Sequence, residues 1–288
     1  MQNYAIHTDS GCDICPELLE QWGVSCTDLT LTFVGESKEY ACPDISVTEF
    51  YDRMRQGGVA KTAAANIDTF EKAFEPYLQL GQDVLYLGFS SGLSTTYNSA
   101  HIAAQQLMEK YPKSKVLTVD TLAASAGQGL LLYLAVQKRN NGAAIEEVAG
   151  YIENLVLNLS HWFTVDDLEY LKRGGRVSPT IAFVGSLLGI KPVLHVDNEG
   201  HLIKVSTARG RKKAIEALAD KYSELASKPS DGVVFISHAD CIQDAQNLAQ
   251  MLNARFGVTV ELITDIGPII GAHAGPGTLA LFFVGSKR

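Results

Sequence analysis

The stretch Asp83–Lys110, DVLYLGFSSGLSTTYNSAHIAAQQLMEK, decides the fold class. Its apolar opening, Asp83–Phe89, predicts a buried strand, and its closing part, Ser94–Lys110, predicts a helix. A loop rich in glycine and serine joins them, and Lys115–Asp120 follows as the next predicted strand. A strand, a helix and a second strand in this order are typical of a parallel α/β sheet.

The two halves of the chain show different patterns. The first half alternates predicted strands and helices from Tyr4–Thr8 onward, which favours a mainly parallel sheet. In the second half the turn sequence Asp197–Gly200 separates the predicted strands Lys191–Val196 and His201–Thr207, which is typical of a hairpin and therefore of a mixed or antiparallel sheet. We therefore predict two α/β domains, over residues 1–160 and 161–288.

Local signals set further expectations for element boundaries. Ser46–Glu49 has the serine and glutamate spacing of a helix start, and Asp68–Glu71 repeats that pattern. Leu29–Val34 is predicted to be a strand of the first half, whereas the glycine-rich tail Gly267–Gly277 is predicted to be a loop.

Composition and charge exclude several classes of function. The chain has 288 residues, of which 46% are hydrophobic and 19% charged, as in ordinary globular proteins. The formal net charge of −8 argues against a nucleic-acid partner. Met1–His7 lacks the basic start and apolar run of a signal peptide, and no uncharged apolar stretch reaches membrane-spanning length. We expect a cytoplasmic protein with no stable membrane insertion.

The five cysteines do not indicate a disulfide framework, because their number is odd and the chain is long. Cys12 and Cys15 form a CxxC pair, which suits a redox site at the start of a helix. A zinc site would require a second pair at suitable spacing, and the sequence has none. We favour incidental thiols over a redox or metal role.

Three loops follow predicted strands and combine hydroxyls with glycines or histidine: Thr8–Ser10, Gly88–Tyr97 and Gly271–Gly277. In α/β sheets, ligands bind beyond the carboxyl ends of the strands. A helix that begins at Ser94 or Thr95 would offer free N–H groups and a positive partial charge there, so a carboxylate or phosphate is the expected ligand. The alternative is that Ser94 is only a helix cap.

These motifs, taken in order along the chain, resemble the DegV family of fatty-acid-binding proteins. The resemblance covers nearly the whole chain, and the ordered set is far more specific than any one motif. The matching segments are Thr8-Asp9-Ser10, Lys61-Thr62, Ser90–Ser94, Leu168–Arg176, Gly189–Pro192, Arg209 with Lys212-Lys213-Ala214, and His273 with Gly275-Pro276-Gly277.

The resemblance implies a two-domain α/β fold that holds a long-chain fatty acid, such as palmitate, between the domains. It implies that Thr62 and Ser94 bind the carboxylate, that His273 lies near it, and that Ser91 and Thr95 belong to the ligand-binding set. It also implies that the protein contributes no catalytic group and requires no cofactor or metal. In bacteria with a fatty acid kinase, such a protein presents the bound acid for phosphorylation, and the acyl phosphate enters phospholipid synthesis.

The chain departs from the family pattern at the headgroup loops. The family commonly has Thr-Ser-x-Pro where this chain has Thr62-Ala63-Ala64-Ala65, which removes a hydroxyl and a stiffening proline. Where the family has Ser-Gly-Thr, this chain has Ser94-Thr95-Thr96, whose bulkier middle residue changes how closely the backbone can approach a carboxylate.

Basic residues and an apolar segment supply the remaining expectations. Basic side chains on an acidic protein are predicted to receive an acidic or phosphorylated partner, although cations also favour the carboxyl end of a helix. The predicted partner-binding residues are Lys172, Arg173, Arg176 and Arg209. The residues predicted to line either an acyl tunnel or ordinary core are Ile181, Phe183, Val184, Leu187 and Leu188.

Two other functions compete with the carrier. The first is a hydrolase or phosphotransferase that uses Ser94 as nucleophile and His273 as base, which requires the two side chains to lie within hydrogen-bond reach. The sequence has neither a G-x-S-x-G elbow around Ser94 nor a phosphate-binding P-loop. The second is a regulator that senses a lipid and acts through a protein partner.

Overall fold

The computed structural model describes residues 4–177 and 189–288. The strands are β1 (Tyr4–Asp9), β2 (Val24–Thr27), β3 (Thr30–Phe33), β4 (Glu39–Ala41), β5 (Ala60–Ala63), β6 (Asp83–Gly88), β7 (Val116–Asp120), β8 (Leu159–Thr164), β9 (Ile190–Val196), β10 (Leu202–Arg209), β11 (Val234–His238), β12 (Leu262–Asp265) and β13 (Leu279–Val284). The helices are α1 (Pro16–Trp22), α2 (Val47–Arg55), α3 (Ile67–Gln79), α4 (Thr96–Lys110), α5 (Ala126–Asn140), α6 (Ile145–Val156), α7 (Glu169–Arg173), α8 (Arg211–Leu225), α9 (Ile242–Phe256) and α10 (Pro268–Ala274).

The first sheet is parallel and confirms the prediction for the first half of the chain. Its four strands run in the order β2-β1-β6-β7. Side chains of β6 alternate between two cores, with Val84 and Tyr86 packed against α3 and α4, and Leu85 and Leu87 packed against α5 and α6. A strand that helices cover on both faces has an unbroken apolar sequence, and β6 shows this pattern.

The second sheet is mixed, as the hairpin sequence predicted. Its six strands run in the order β10-β9-β8-β13-β11-β12, and only the β11–β12 pair is parallel. The predicted hairpin is formed by β9 and β10 around Asp197–Gly200. Helices α8 and α9 cover one face of this sheet, and α5 covers the other.

Helix α5 joins the two sheets because its glycines allow close approach. A Cβ at Gly127 would lie 2.8 Å from the Phe282 ring of the second sheet, and a Cβ at Gly129 would lie 2.6 Å from Ile14. The apolar core is continuous across residue 160, since Leu85 and Phe282 belong to the same buried cluster. The boundary between residues 1–160 and 161–288 stays a prediction.

Three sequence-based expectations were wrong. The segment around Leu31 does not join the first sheet but pairs with two short strands in a separate antiparallel sheet of order β4-β3-β5. Helix α3 begins two residues earlier than the Asp68 signal, because Asn66 accepts the hydrogen bond from Thr69 N at 2.9 Å. Gly267–Gly277 is mostly a helix, α10, whose start is favoured by Pro268 at its first position.

The buried carboxylate of Asp9 joins the ends of β1 and β6. It accepts hydrogen bonds from the Tyr86 hydroxyl at 2.6 Å, from Phe89 N at 2.9 Å and from Gly11 N at 2.9 Å. Burial raises the pKa of Asp9, and the hydrogen bonds counteract that rise. The carboxylate therefore fixes where the chain leaves β6 and enters the loop that precedes α4.

We expect Asp9→Ala to lower the free energy of unfolding by about 3 kcal/mol, because it leaves the Tyr86 hydroxyl and the Phe89 amide buried without an acceptor. Urea denaturation of the folded variant measures this loss. The matched control is Asp231→Ala, which removes an exposed carboxylate and should change stability by less than about 0.5 kcal/mol. A loss in the Asp9 variant no larger than that of the control would contradict the role given to this side chain.

Candidate functional site

A cavity of about 500 Å³ lies between the two sheets, and residues from both halves of the chain line it. Most of its wall is apolar. The apolar lining residues are Leu29, Ala64, Phe89, Leu93, Ala124, Phe163, Leu171, Leu202, Ile266, Ile269, Ile270, Ala274 and Ala280. The polar lining residues are Thr62, Ser91, Ser94, Thr95, Ser125, His161, Arg176, His273 and Thr278.

Thr62 and His273 meet at one end of this cavity. The Thr62 hydroxyl and His273 Nε2 are 2.7 Å apart, although the residues are separated by 211 positions in the chain. Thr62 lies on β5 of the small sheet, where inward and outward side chains alternate. His273 lies on α10, which packs against β5 and β3. The sequence placed both residues in the ligand site, and the structure brings them into contact.

His273 is a neutral imidazole near pH 7. Its burial, and to a lesser extent the positive charge of Arg176, lowers its pKa from 6.5 to about 4. Its Nδ1 is buried without a hydrogen-bond partner among the described residues, and it lies so close to Gly174 that a Cβ there would be 2.2 Å away. If Nε2–H donates to the Thr62 oxygen, the Thr62 hydroxyl proton is free to point at a ligand.

Ser94 stands at the start of α4, as the sequence indicated. Its Oγ accepts a hydrogen bond from Thr96 N at 3.2 Å and lies 2.8 Å from the Thr96 hydroxyl. When Thr96 donates to it, the Ser94 proton is available to a ligand, and the amino terminus of α4 adds a positive partial charge. Thr95 is the N-cap residue of α4 but makes no side-chain cap bond, so its hydroxyl is exposed at the cavity.

The loop that carries Ser94 is held against the hairpin of the second sheet. The buried Ser90 hydroxyl donates to Gly200 O at 3.0 Å, and a Cβ at Gly92 would lie 2.6 Å from Glu199 O. Ser91 is exposed, lines the cavity, and donates its backbone N–H to Asp120 at 3.2 Å. The contact between Ser90 and Gly200 makes the hairpin turn part of the support for the polar end of the cavity.

Arg176 lines the cavity, whereas the sequence associated it with a partner surface. Its guanidinium donates to Leu93 O at 3.2 Å and to Gly174 O, and burial lowers its pKa. The positive charge of Arg176 lowers the pKa of His273, and the guanidinium bonds to the Ser94 loop, so Arg176 lies beside both. A basic run in a sequence does not reveal that the turn after α7 directs its last arginine inward.

The other predicted partner residues are exposed. Lys172 and Arg173 occupy the last turn of α7, where Lys172 pairs with Glu169 at 3.2 Å and Arg173 lies over the Tyr170 ring. Arg209 is exposed at the end of β10. The predicted tunnel residues Ile181, Phe183, Val184, Leu187 and Leu188 lie outside the described residues.

Several lining residues gave no functional signal in the sequence. Ile269 and Ile270 of α10 lie in the segment that was predicted to be a loop, and Phe163 and Ala280 resemble ordinary strand residues. A pattern of alternating or continuous apolar residues identifies a buried face, but it does not distinguish a face that packs from one that borders a cavity.

The hydrogen bonds of Ser94 and His273 do not join them as the nucleophile and base of the hydrolase alternative. His273 Nε2 bonds to Thr62, and the partner of the Ser94 hydroxyl is Thr96.

Over residues 4–177 and 189–288, no group of three or more His, Cys, Asp or Glu side chains is arranged to hold a metal ion. All five cysteines are free thiols. Within the same ranges no helix combines the length and apolarity needed to cross a bilayer.

Comparison with known proteins identifies the relatives of this chain. A family model described as "Uncharacterised protein, DegV family" matches residues 3–286. A DegV domain-containing protein of Clostridium perfringens is 40% identical over 100% of this chain and 99% of its own. A fatty acid-binding protein of Thermotoga maritima is 36% identical over 95% of each chain. A solved DegV family structure from Thermus thermophilus, described by its fatty acid binding, superposes with a TM-score of 0.88 at 30% identity and covers 99% of this chain and 100% of that one.

The depressed pKa of His273 predicts a specific pH dependence of stability. Between pH 6.5 and about 4 the unfolded chain binds a proton at this imidazole while the folded chain does not, so stability is lost as the pH falls through that window. We expect His273→Gln to reduce the slope of unfolding free energy against pH there by up to about 1.4 kcal/mol per pH unit.

Urea denaturation at a series of pH values measures this slope in both proteins. The matched control is His101→Gln, which removes an exposed imidazole of α4 that hydrogen-bonds to Thr118. Equal slopes in the His273 variant and the unsubstituted protein would mean that His273 titrates in the folded state as it does in the unfolded state, and would contradict its assignment as neutral.

Proposed function

This chain belongs to the DegV family, and from that membership we propose that it binds a long-chain fatty acid in the cavity between its sheets. The carboxylate lies at Thr62 and Ser94, with His273 beside it, and the acyl tail extends along the apolar wall. The observation that carries this proposal is the contact between Thr62 and His273 at the polar end of a mostly apolar cavity. The relatives from Thermotoga and Thermus, each at least 30% identical and described by fatty acid binding, support it.

The chemistry of the polar end suits a carboxylate that must later leave. Thr62 and Ser94 donate hydrogen bonds without adding a fixed charge, and His273 is neutral because its pKa is about 4. Arg176 supplies a positive charge, but its guanidinium is already bonded to the backbone oxygens of Leu93 and Gly174. The headgroup is therefore bound by hydrogen bonds within a positive field rather than by a dedicated ion pair.

The acyl tail supplies most of the affinity in this proposal. Burial of each methylene contributes roughly 0.8 kcal/mol, so a chain of about fourteen methylenes gains on the order of 11 kcal/mol before the costs of association. A hydrogen bond to a charged group contributes about 1.5–3 kcal/mol. The headgroup contacts therefore set the orientation of the acid, and the tail sets the strength of binding.

We further propose that the protein carries its ligand for a partner, such as a fatty acid kinase, and does not itself catalyse a reaction. The exposed cations Lys172, Arg173 and Arg209 would receive the acidic or phosphate-bearing partner, and Arg176 would connect that surface to the headgroup. The lipid-sensing regulator is the alternative, and it would use the same cavity. The cytoplasmic location stays a prediction.

We expect the double substitution Thr62→Ala with Ser94→Ala to weaken palmitate binding by about 100-fold or more, because each lost hydrogen bond to a carboxylate contributes about 1.5–3 kcal/mol. Hexadecanol has the same tail without the charged headgroup, so its affinity should change much less. Isothermal titration calorimetry of both ligands measures the difference.

The matched control is Thr48→Ala with Ser223→Ala, two exposed hydroxyls on helix surfaces away from the cavity. Its palmitate affinity should equal that of the unsubstituted protein. If the Thr62 and Ser94 double variant folds and binds palmitate with unchanged affinity, these hydroxyls are not the headgroup site.

A further inference from the structure

His161 is an unpaired polar side chain in the apolar wall of the cavity. It lies on β8 with only 4% of its surface exposed, and it lines the cavity. Its Nδ1 has no hydrogen-bond partner among the described residues. A buried polar group without a partner is unfavourable, so an imidazole at this position requires an explanation beyond packing.

The register of the second sheet places His161 far from the headgroup end. Thr278, which precedes β13, bonds to the carbonyl of Ala274 beside His273. His161 pairs with Phe282, four residues further along β13, which corresponds to about 13 Å of strand. Since the carboxylate binds at the His273 end, His161 faces the middle or distal part of an acyl chain.

Two phenylalanine rings lie next to the imidazole. Its ring centroid is 4.5 Å from that of Phe282 and 5.7 Å from that of Phe163. A Cβ at Gly127 would lie 3.5 Å from Nδ1, which is an ordinary contact distance, so the glycine leaves this side of the ring without a side chain against it. Burial first, and the positive charge of Arg288 and the neighbouring His195 second, lower the pKa of His161 well below its usual range.

A neutral imidazole has one N–H donor and one acceptor nitrogen, and which nitrogen carries the proton depends on the partner. A methylene chain offers neither a donor nor an acceptor, so a saturated acid leaves the ring unpaired. A hydroxyl both donates and accepts, and it therefore pairs with either tautomer. Ser125, another polar side chain of the cavity lining, is already bonded to Ser237 at 2.9 Å.

We propose that His161 is a specificity-determining residue that favours long-chain acids with a hydroxyl group in the middle or distal part of the acyl chain. The inference rests on the proposed fatty acid binding and deepens it, because it names a subclass of ligand for the same cavity. The hydrogen bond between the ligand hydroxyl and the imidazole replaces the partner that the protein itself does not supply.

The test compares stearic acid with 10- and 12-hydroxystearic acid by calorimetry, using the full chain and the variant His161→Phe. Phenylalanine places another aromatic ring at this position, without either nitrogen. We expect the affinity ratio of hydroxystearic to stearic acid to fall about tenfold in the variant for at least one of the two mid-chain hydroxy acids, which is the size of one net hydrogen bond. The solvation of each ligand in water is common to both proteins and cancels in this comparison.

Two controls make the result specific. 3-Hydroxystearic acid carries its hydroxyl beside the carboxylate, so its ratio to stearic acid should be the same in both proteins. His195→Phe removes an imidazole from the neighbouring strand that does not line the cavity and stacks on Trp162, and it should leave every ratio unchanged.

The failures of the two proposals are distinguishable. If stearic acid does not bind the unsubstituted protein, the carrier function is wrong and this inference falls with it. If stearic acid binds but the mid-chain ratios are equal in the protein and the His161 variant, only this inference is overturned. If the variant does not fold, nitrogen chemical shifts of the His161 ring in the unsubstituted protein decide, because 10- or 12-hydroxystearic acid should shift them relative to stearic acid, and identical shifts would overturn the inference.

Discussion

The buried carboxylate of Asp9 is the interaction on which the site depends. It satisfies the Tyr86 hydroxyl and the amides of Gly11 and Phe89 at the carboxyl ends of two neighbouring parallel strands. An acceptor that serves three donors fixes the chain direction as it leaves β6, so the loop to α4 begins from a defined position. Phe89 then borders the cavity, and Ser94 reaches it from the end of the same loop.

The other half of the polar end depends on α10. This short helix is fixed at its start, where Asp13 accepts a hydrogen bond from Gly267 N at 2.9 Å and the buried Tyr51 hydroxyl donates to Ile266 O at 2.8 Å. The helix carries His273 to the small sheet, where β5 presents Thr62. The first half of the chain supplies both the small sheet and the residues that anchor α10. Two segments that are distant in the chain therefore form one hydrogen-bonded pair.

Much of this arrangement was predictable from local patterns, and the remainder depends on packing at long range. The parallel first sheet and the hairpin of the second follow from periodicity and turn residues, since these signals are local. The strand that carries Thr62 was missed because Ala60–Ala63 is short and contains Lys61, and α10 was missed because its glycines resemble a loop. The membership of Thr62, Ser94 and His273 in one site came from the family resemblance. The inward position of Arg176 and the cavity position of His161 arise from tertiary contacts that no local pattern encodes.

Extraction of the purified protein shows whether the cavity holds a fatty acid. Organic solvent releases a bound lipid, and mass spectrometry quantified against protein identifies it and gives its stoichiometry. We expect a long-chain fatty acid at close to one molecule per chain, either co-purified or taken up when added to protein stripped of lipid. A folded protein that contains no fatty acid and takes up none would contradict this expectation.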